Sequence, residues 1–257
     1  MTVLGIRGVL LDLGGVVYSG DRALPGSLEA VERIKTAGLG LRYITNTTRT
    51  SHGGLMEKLA KIGVVAARGE LLTPAQVART YLMDNRLSPH LLVHSNLEED
   101  FADVPASSHE AVVIGDAADR FSFAALNEAY RKIEKGALFL ALADNRNFLD
   151  ADGELSLDAG AFVRALEYAS GRTAMVLGKP SAAFFQLACQ GLGCEPHETV
   201  MIGDDAEADV GGAIAAGLRG VLVRTGKYRS GQESRLAKPP DLVAEDLAAA
   251  VDWLLGS

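Results

Sequence analysis

Gly8-Val9-Leu10-Leu11-Asp12-Leu13-Gly14-Gly15-Val16-Val17-Tyr18 is a short apolar run that stops on a carboxylate and continues into two glycines. Val9 to Leu11 predicts a buried strand. The glycines let the backbone turn tightly beyond its end and approach a ligand closely. Outward from this stretch, leucine-rich and β-branched runs alternate with amphipathic segments. Leu28, Val31 and Ile34 fall at helical spacing in a segment that starts at Ser27 and stops at Gly38. Leu41 to Ile44 reads as the next strand, and Leu55, Leu59 and Ile62 share one face of a helix ending at Gly63. Thr73-Pro74-Ala75-Gln76 is a capping box with proline at the first helical position. Further strands are expected at 91–93, 112–114, 138–140, 175–177, 200–202 and 221–223, and helices at 122–135 and 158–169. The alternation predicts an α/β fold built on a parallel sheet.

A chain of 257 residues with 48% hydrophobic content has enough apolar surface for a substantial core in one or two domains. Its net charge of −8 argues against nucleic acid or an anionic membrane surface as the main partner. No apolar run approaches the roughly 18 residues of a membrane helix. Nothing ahead of Gly8 reads as a signal peptide, so a cytoplasmic location is expected. Cys189 and Cys194 have neither zinc-ligand nor disulfide-framework spacing and read as core or surface thiols. His52, His90, His94, His109 and His197 form no metal-binding pattern. The least regular stretches are 97–110 and 144–156, and the second is a candidate substrate-facing loop, with residues 144–148 foremost.

In open parallel sheets, ligands bind beyond the carboxyl ends of the strands. Four places there carry polar chemistry. Asp12 is the first. Thr45 and Asn46 follow a strand in LRYITNTT, residues 41–48, and Lys179 sits between Gly178 and Pro180 in VLGKPS, residues 176–181. The fourth is VMIGDDAEADVGGAIAAG, residues 200–217, which gathers Asp204, Asp205 and Asp209 after an apolar strand. Each alone has an ordinary reading: a turn former, a polar turn, a solvated lysine, or a carboxylate favouring a helix start. Three carboxylates together invite a cation. With oxygen donors predominating over nitrogen or sulfur, that cation is expected to be magnesium.

Taken in order, the four segments resemble the four motifs of the haloacid dehalogenase superfamily, in the members with a large α/β cap. LEYASGR at 166–172 and VLVRTGKY at 221–228 extend the similarity along almost the whole chain. The resemblance implies a Rossmann-like parallel-sheet core over residues 1–80 and 178–257, with an inserted α/β cap over 81–177 that sets specificity. It implies a magnesium-dependent phosphohydrolase acting on small phosphorylated compounds, with a homodimer as the expected state. Asp12 would be the nucleophile, forming an aspartyl phosphate, and also a metal ligand with the Gly14 carbonyl and Asp204. Asp209 would sit in or just behind the metal shell. Thr45 and Asn46 would bind phosphoryl oxygens, Lys179 would neutralise charge between nucleophile and phosphate, and Asp205 would be a helix-capping or variable position.

The sequence departs from this pattern at Gly14. Most phosphatases of the superfamily carry an aspartate there, two residues after the nucleophile, as general acid and base. Such a group is worth about 10² to 10⁴ in rate, so its loss points toward activated P–N, P–O–P or acyl phosphate bonds. A non-catalytic phospho-ligand sensor or dimeric interaction module of the same fold is the rival reading, encouraged by Gly14 and discouraged by the presence of Asp12, Lys179 and Asp204. A carbon dehalogenase would have no use for the acidic cluster.

Overall fold

Every residue of the strand Gly8–Asp12 is buried, which requires that both faces of its sheet be covered. In the computed structural model, which describes residues 5–67, 69–149 (the last without its side chain) and 154–256, the chain divides into two compact units. One comprises Met1–Thr45, Met56–Leu72 and Lys179–Ser257, and the other Asn46–Leu55 and Thr73–Gly178.

Among the described residues the first unit carries a six-stranded sheet in the order Leu242–Ala244, Arg219–Val223, Thr199–Gly203, Gly8–Asp12, Gly40–Ile44 and Leu71–Leu72. All neighbouring pairs are parallel. The helix Ser27–Thr36 packs with Leu247–Leu255, while Ala182–Leu192 packs with Gly212–Ala215 and against the strands Gly8–Asp12 and Gly40–Ile44. From Gly8–Asp12 the chain first builds the sheet in one direction, then returns to add Thr199–Gly203 on the other side. The strand order therefore reverses between these two strands, and a parallel sheet opens its ligand crevice at such a point, beyond the carboxyl ends.

The second unit has a parallel four-stranded sheet, ordered Met175–Val176, Leu138–Ala141, Glu110–Ile114 and Ser88–Leu92. Side chains alternate across a strand. Val113 and Leu140 accordingly join a cluster with Ala78, Leu82 and Phe101, while Val112 and Phe139 join another with Ala129, Ile133 and Val163. The helix Pro74–Asp84 begins with the expected capping box, Thr73 Oγ1 accepting the Gln76 N–H and Gln76 accepting the Thr73 N–H. The helices Phe123–Glu134 and Ala159–Ser170 are capped by Ser122 and Asp158.

The segment Asn46–Leu55 belongs with this unit because its polar groups are satisfied there. Thr48 Oγ1 accepts the Asp116 N–H at 3.0 Å, and the His52 N–H donates to the Asp100 carboxylate at 3.0 Å. The irregular stretch expected at 144–156 instead contains an antiparallel hairpin pairing Asn147–Leu149 with Leu155–Leu157. Residues 150–153 of that stretch lie outside the described residues. No described helix is long and apolar enough to cross a membrane.

Candidate active site

The crevice predicted by the strand order is acidic. Asp12 ends one of the two central strands, and Asp204 follows Gly203 at the end of the other. Asp209 lies one turn further on, in the π-helical turn Ala206–Gly211. All three are buried, and each offers a carboxylate oxygen such that these atoms lie within 4.8 Å of one another. Asp205 plays the capping part, its Oδ1 accepting the Glu207 and Ala208 N–H groups at 3.1 and 2.9 Å. Asp209 Oδ2 accepts the Asp205 N–H at 3.1 Å.

Lys179 reaches into this cluster. Its Nζ stands 2.5 Å from Asp12 Oδ1 and 2.6 Å from Asp209 Oδ1, with its side chain 3% exposed. Burial alone would push the ammonium toward neutrality. Asp12 and Asp209 overcome that and hold the lysine charged, above its ordinary range. Burial raises Asp204 to about 8, reinforced by Asp12 and Asp209. It raises Asp209 to about 6, with Lys179 pulling the other way. One ammonium among three buried carboxylates leaves an excess of negative charge, which is costly in a poorly solvated site unless it is protonated or paired.

This environment fits a hard divalent cation. The donors are all oxygens and sit close enough for one small ion, and magnesium characteristically takes one or two protein carboxylates while keeping waters or phosphate oxygens. Gly14, the expected carbonyl ligand, lies two residues past Asp12 in a turn where the Gly15 N–H donates to the Tyr18 carbonyl at 2.7 Å. A Cβ at Gly14 would meet nothing within 4 Å, so a side chain at this position has room. Thr45 is buried at the end of the neighbouring strand Gly40–Ile44, its N–H 3.4 Å from the Leu72 carbonyl. Asn46 belongs to the second unit, where its Oδ1 lies 2.7 Å from the position a Cβ would take on Gly178.

The site also includes residues that the strand-end reading passed over. Gly15, at φ +82°, and Gly226, at φ +57°, stack backbone to backbone, and a Cβ on either would overlap the Asp204 carboxylate. Thr225 Oγ1 donates to the Gly15 carbonyl at 2.5 Å, and the Lys227 N–H donates to Asp204 Oδ2 at 2.7 Å. The available signal was Thr225-Gly226-Lys227 one residue past the strand Arg219–Val223, another polar turn near a strand end.

In the second unit, Arg49 Nε pairs with the buried Asp116 at 2.5 Å and its guanidinium lies 4.3 Å from the centre of the Phe148 ring. Asp116 Oδ1 also accepts the Ala118 N–H at 2.9 Å. Asp144 pairs with Arg164, and burial raises its carboxyl above the usual range. Two residues of the candidate substrate-facing stretch, Asp144 and Phe148, thus lie against charged partners.

Comparison with known proteins places the chain in a family. The family model described as haloacid dehalogenase-like hydrolase matches residues 9–107, and a HAD-hydrolase-like model matches residues 176–250. The chain is 43% identical over 257 residues to the phospholysine phosphohistidine inorganic pyrophosphate phosphatase of Danio rerio, covering 97% of this chain and 94% of that one. Among solved structures, it superposes with a TM-score of 0.87 on the 4-nitrophenylphosphatase of Thermotoga maritima, at 25% identity, covering 96% of this chain and 97% of that one. It also superposes, with a TM-score of 0.82 and 25% identity, on a glycerol phosphate phosphatase of Mycobacterium tuberculosis in complex with magnesium, covering 98% of this chain and 79% of that one. With that identity extending over nearly its whole length, and with its acidic crevice at the strand-order reversal, the chain belongs to the haloacid dehalogenase-like hydrolase family.

Proposed function

We propose that this protein is a magnesium-dependent phosphohydrolase that works through an aspartyl phosphate on Asp12 and acts on small phosphorylated compounds, favouring P–N, P–O–P or acyl phosphate bonds. The observation that carries the proposal is the buried Asp12–Lys179–Asp209 arrangement beside Asp204. Asp12, Asp204 and the Gly14 carbonyl would hold magnesium, with Asp209 in or behind its shell. The bound ion would supply charge neutralisation at the transferring phosphoryl group.

The chain's own residues supply the remaining functions. A carboxylate oxygen of Asp12 attacks phosphorus as the bond to the leaving group breaks, and the leaving group carries away that bond's electron pair. Water then attacks phosphorus, releases inorganic phosphate and restores the carboxylate. Lys179 lets an anionic nucleophile meet an anionic substrate, while Thr45 and Asn46 hold phosphoryl oxygens. Phosphoryl transfer is catalysed mainly by such positioning and electrostatic stabilisation.

Gly14 offers the departing group no proton. The amine of a phosphoramidate can depart from an already protonated nitrogen, and pyrophosphate releases a resonance-stabilised phosphate, so both leaving groups need an enzymic acid less than an alkoxide does. The relative from Danio rerio, whose name includes phospholysine, phosphohistidine and pyrophosphate, supports this preference. A specificity role for the second unit, a cytoplasmic location and a homodimer belong to the same proposal.

The test is phosphate release from acetyl phosphate, pyrophosphate, phosphoimidazole and p-nitrophenyl phosphate, with magnesium and with chelator, for the native protein and Asp12→Asn. Magnesium-dependent release lost in the variant supports the proposal. Silence on all four substrates favours the rival reading that Gly14 encourages, a non-catalytic phospho-ligand sensor.

A further inference from the structure

We infer that the Thr225-Gly226-Lys227 turn is a positioning device that fixes the Asp204 carboxylate and ties it to the loop following the nucleophile. The inference rests on the metal-dependent reading above and assigns roles to residues outside the four strand-end motifs. Three observations on one turn carry it. The Lys227 N–H donates to Asp204 Oδ2 at 2.7 Å, so one carboxylate oxygen is held by backbone. Thr225 Oγ1 donates to the Gly15 carbonyl at 2.5 Å, joining two loops 210 residues apart in sequence. Gly226 and Gly15 approach so closely that a Cβ built on Gly226 would stand 2.7 Å from Gly15 Cα, and one built on Gly15 would stand 2.8 Å from Gly226 Cα.

Asp204 is thereby wedged in a slot whose walls are two glycine backbones. Both glycines have left-handed φ values that favour glycine, so the slot is specified twice, once by conformation and once by space. A carboxylate held in this way meets a cation already oriented, and partners that orient metal ligands typically change metal affinity by about 10- to 100-fold when removed. Thr225 acts through the Gly15 carbonyl and Lys227 through its main chain, so both are positioning residues rather than catalytic ones.

The experiment is calorimetric titration of the full chain with magnesium chloride, without substrate, for the native protein, Thr225→Val, Thr225→Ser and Gly226→Ala. Thr225→Val is expected to weaken magnesium binding about 10-fold or more, and Thr225→Ser, which keeps the hydroxyl, to stay within about threefold. Gly226→Ala should lose about 100-fold; should it fail to fold, the valine and serine pair still decides. Native-like binding by Thr225→Val overturns this inference alone. Absence of magnesium binding by the native protein overturns the metal-dependent reading and this inference with it.

Discussion

Lys179 Nζ donates to Asp12 Oδ1 across 2.5 Å, joining residues 167 positions apart in a buried ion pair. Removing the ammonium leaves Asp12 and Asp209 facing each other without their shared cation. Loss of one partner of a buried pair typically costs about 3–5 kcal/mol. Lys179→Met should therefore melt well below the native protein in chelator and lose at least about 100-fold in phosphate release. A variant with native melting temperature and turnover would contradict the role given to this lysine.

Asp204 makes metal-free stability depend on pH. Its folded value, about 8, lies above the ordinary 3.8. The folded state therefore binds the extra proton between these values. That contribution is complete below about pH 4 and is lost as pH rises through about 8. In chelator, the unfolding free energy should fall from pH 5.5 to 8.5 by up to about 1.4 kcal/mol per pH unit for this group, and the melting temperature with it. Magnesium should stabilise the protein more at the alkaline end, and Asp204→Asn should flatten the slope. Differential scanning calorimetry at four pH values checks the sign.

Gly14 has open space where a side chain would project. Gly14→Asp should fold and supply the missing proton donor, raising turnover of glycerol phosphate at least about tenfold, out of the 10² to 10⁴ such groups contribute. Pyrophosphate turnover should change far less. Equal changes for both substrates would refute the leaving-group argument.

Arg49 and Asp116 should prove coupled in stability. Arg49→Met leaves Asp116 buried with one fewer partner and removes the contact with Phe148. The expected loss is about 1–3 kcal/mol. In a double-mutant cycle with Asp116→Asn, the second substitution should cost much less once the first is present, whereas strict additivity would mean that the pair contributes nothing.

The central strands were legible because their apolar runs are long enough to carry a pattern, and the structure places them at Gly8–Asp12, Gly40–Ile44, Thr199–Gly203 and Arg219–Val223. The sheet edges Leu71–Leu72 and Leu242–Ala244 were not, since two or three residues show no period. The hairpin of Asn147–Leu149 with Leu155–Leu157 escaped because each strand has only three residues, one of them polar, which is too short to show a period. The gathering of Asp12, Lys179 and Asp204 was legible because each is a polar residue at or just past the end of an apolar run, and Asp209 because it follows one turn later in the same acidic segment. The Gly15–Gly226 contact could not, because either glycine by itself reads as a turn, and only the folded chain sets the two backbones against the Asp204 carboxylate.

The place of Gly8–Asp12 in the sheet also imposes an order on biosynthesis. One neighbour, Gly40–Ile44, emerges from the ribosome soon after it, but the other, Thr199–Gly203, emerges only after the entire second unit has been made. Throughout that interval the nascent strand keeps one hydrogen-bonding edge unpaired, the condition in which strands join the wrong partner. Pausing or truncation within 73–178 would therefore prolong the interval in which Gly8–Asp12 lacks its second strand partner.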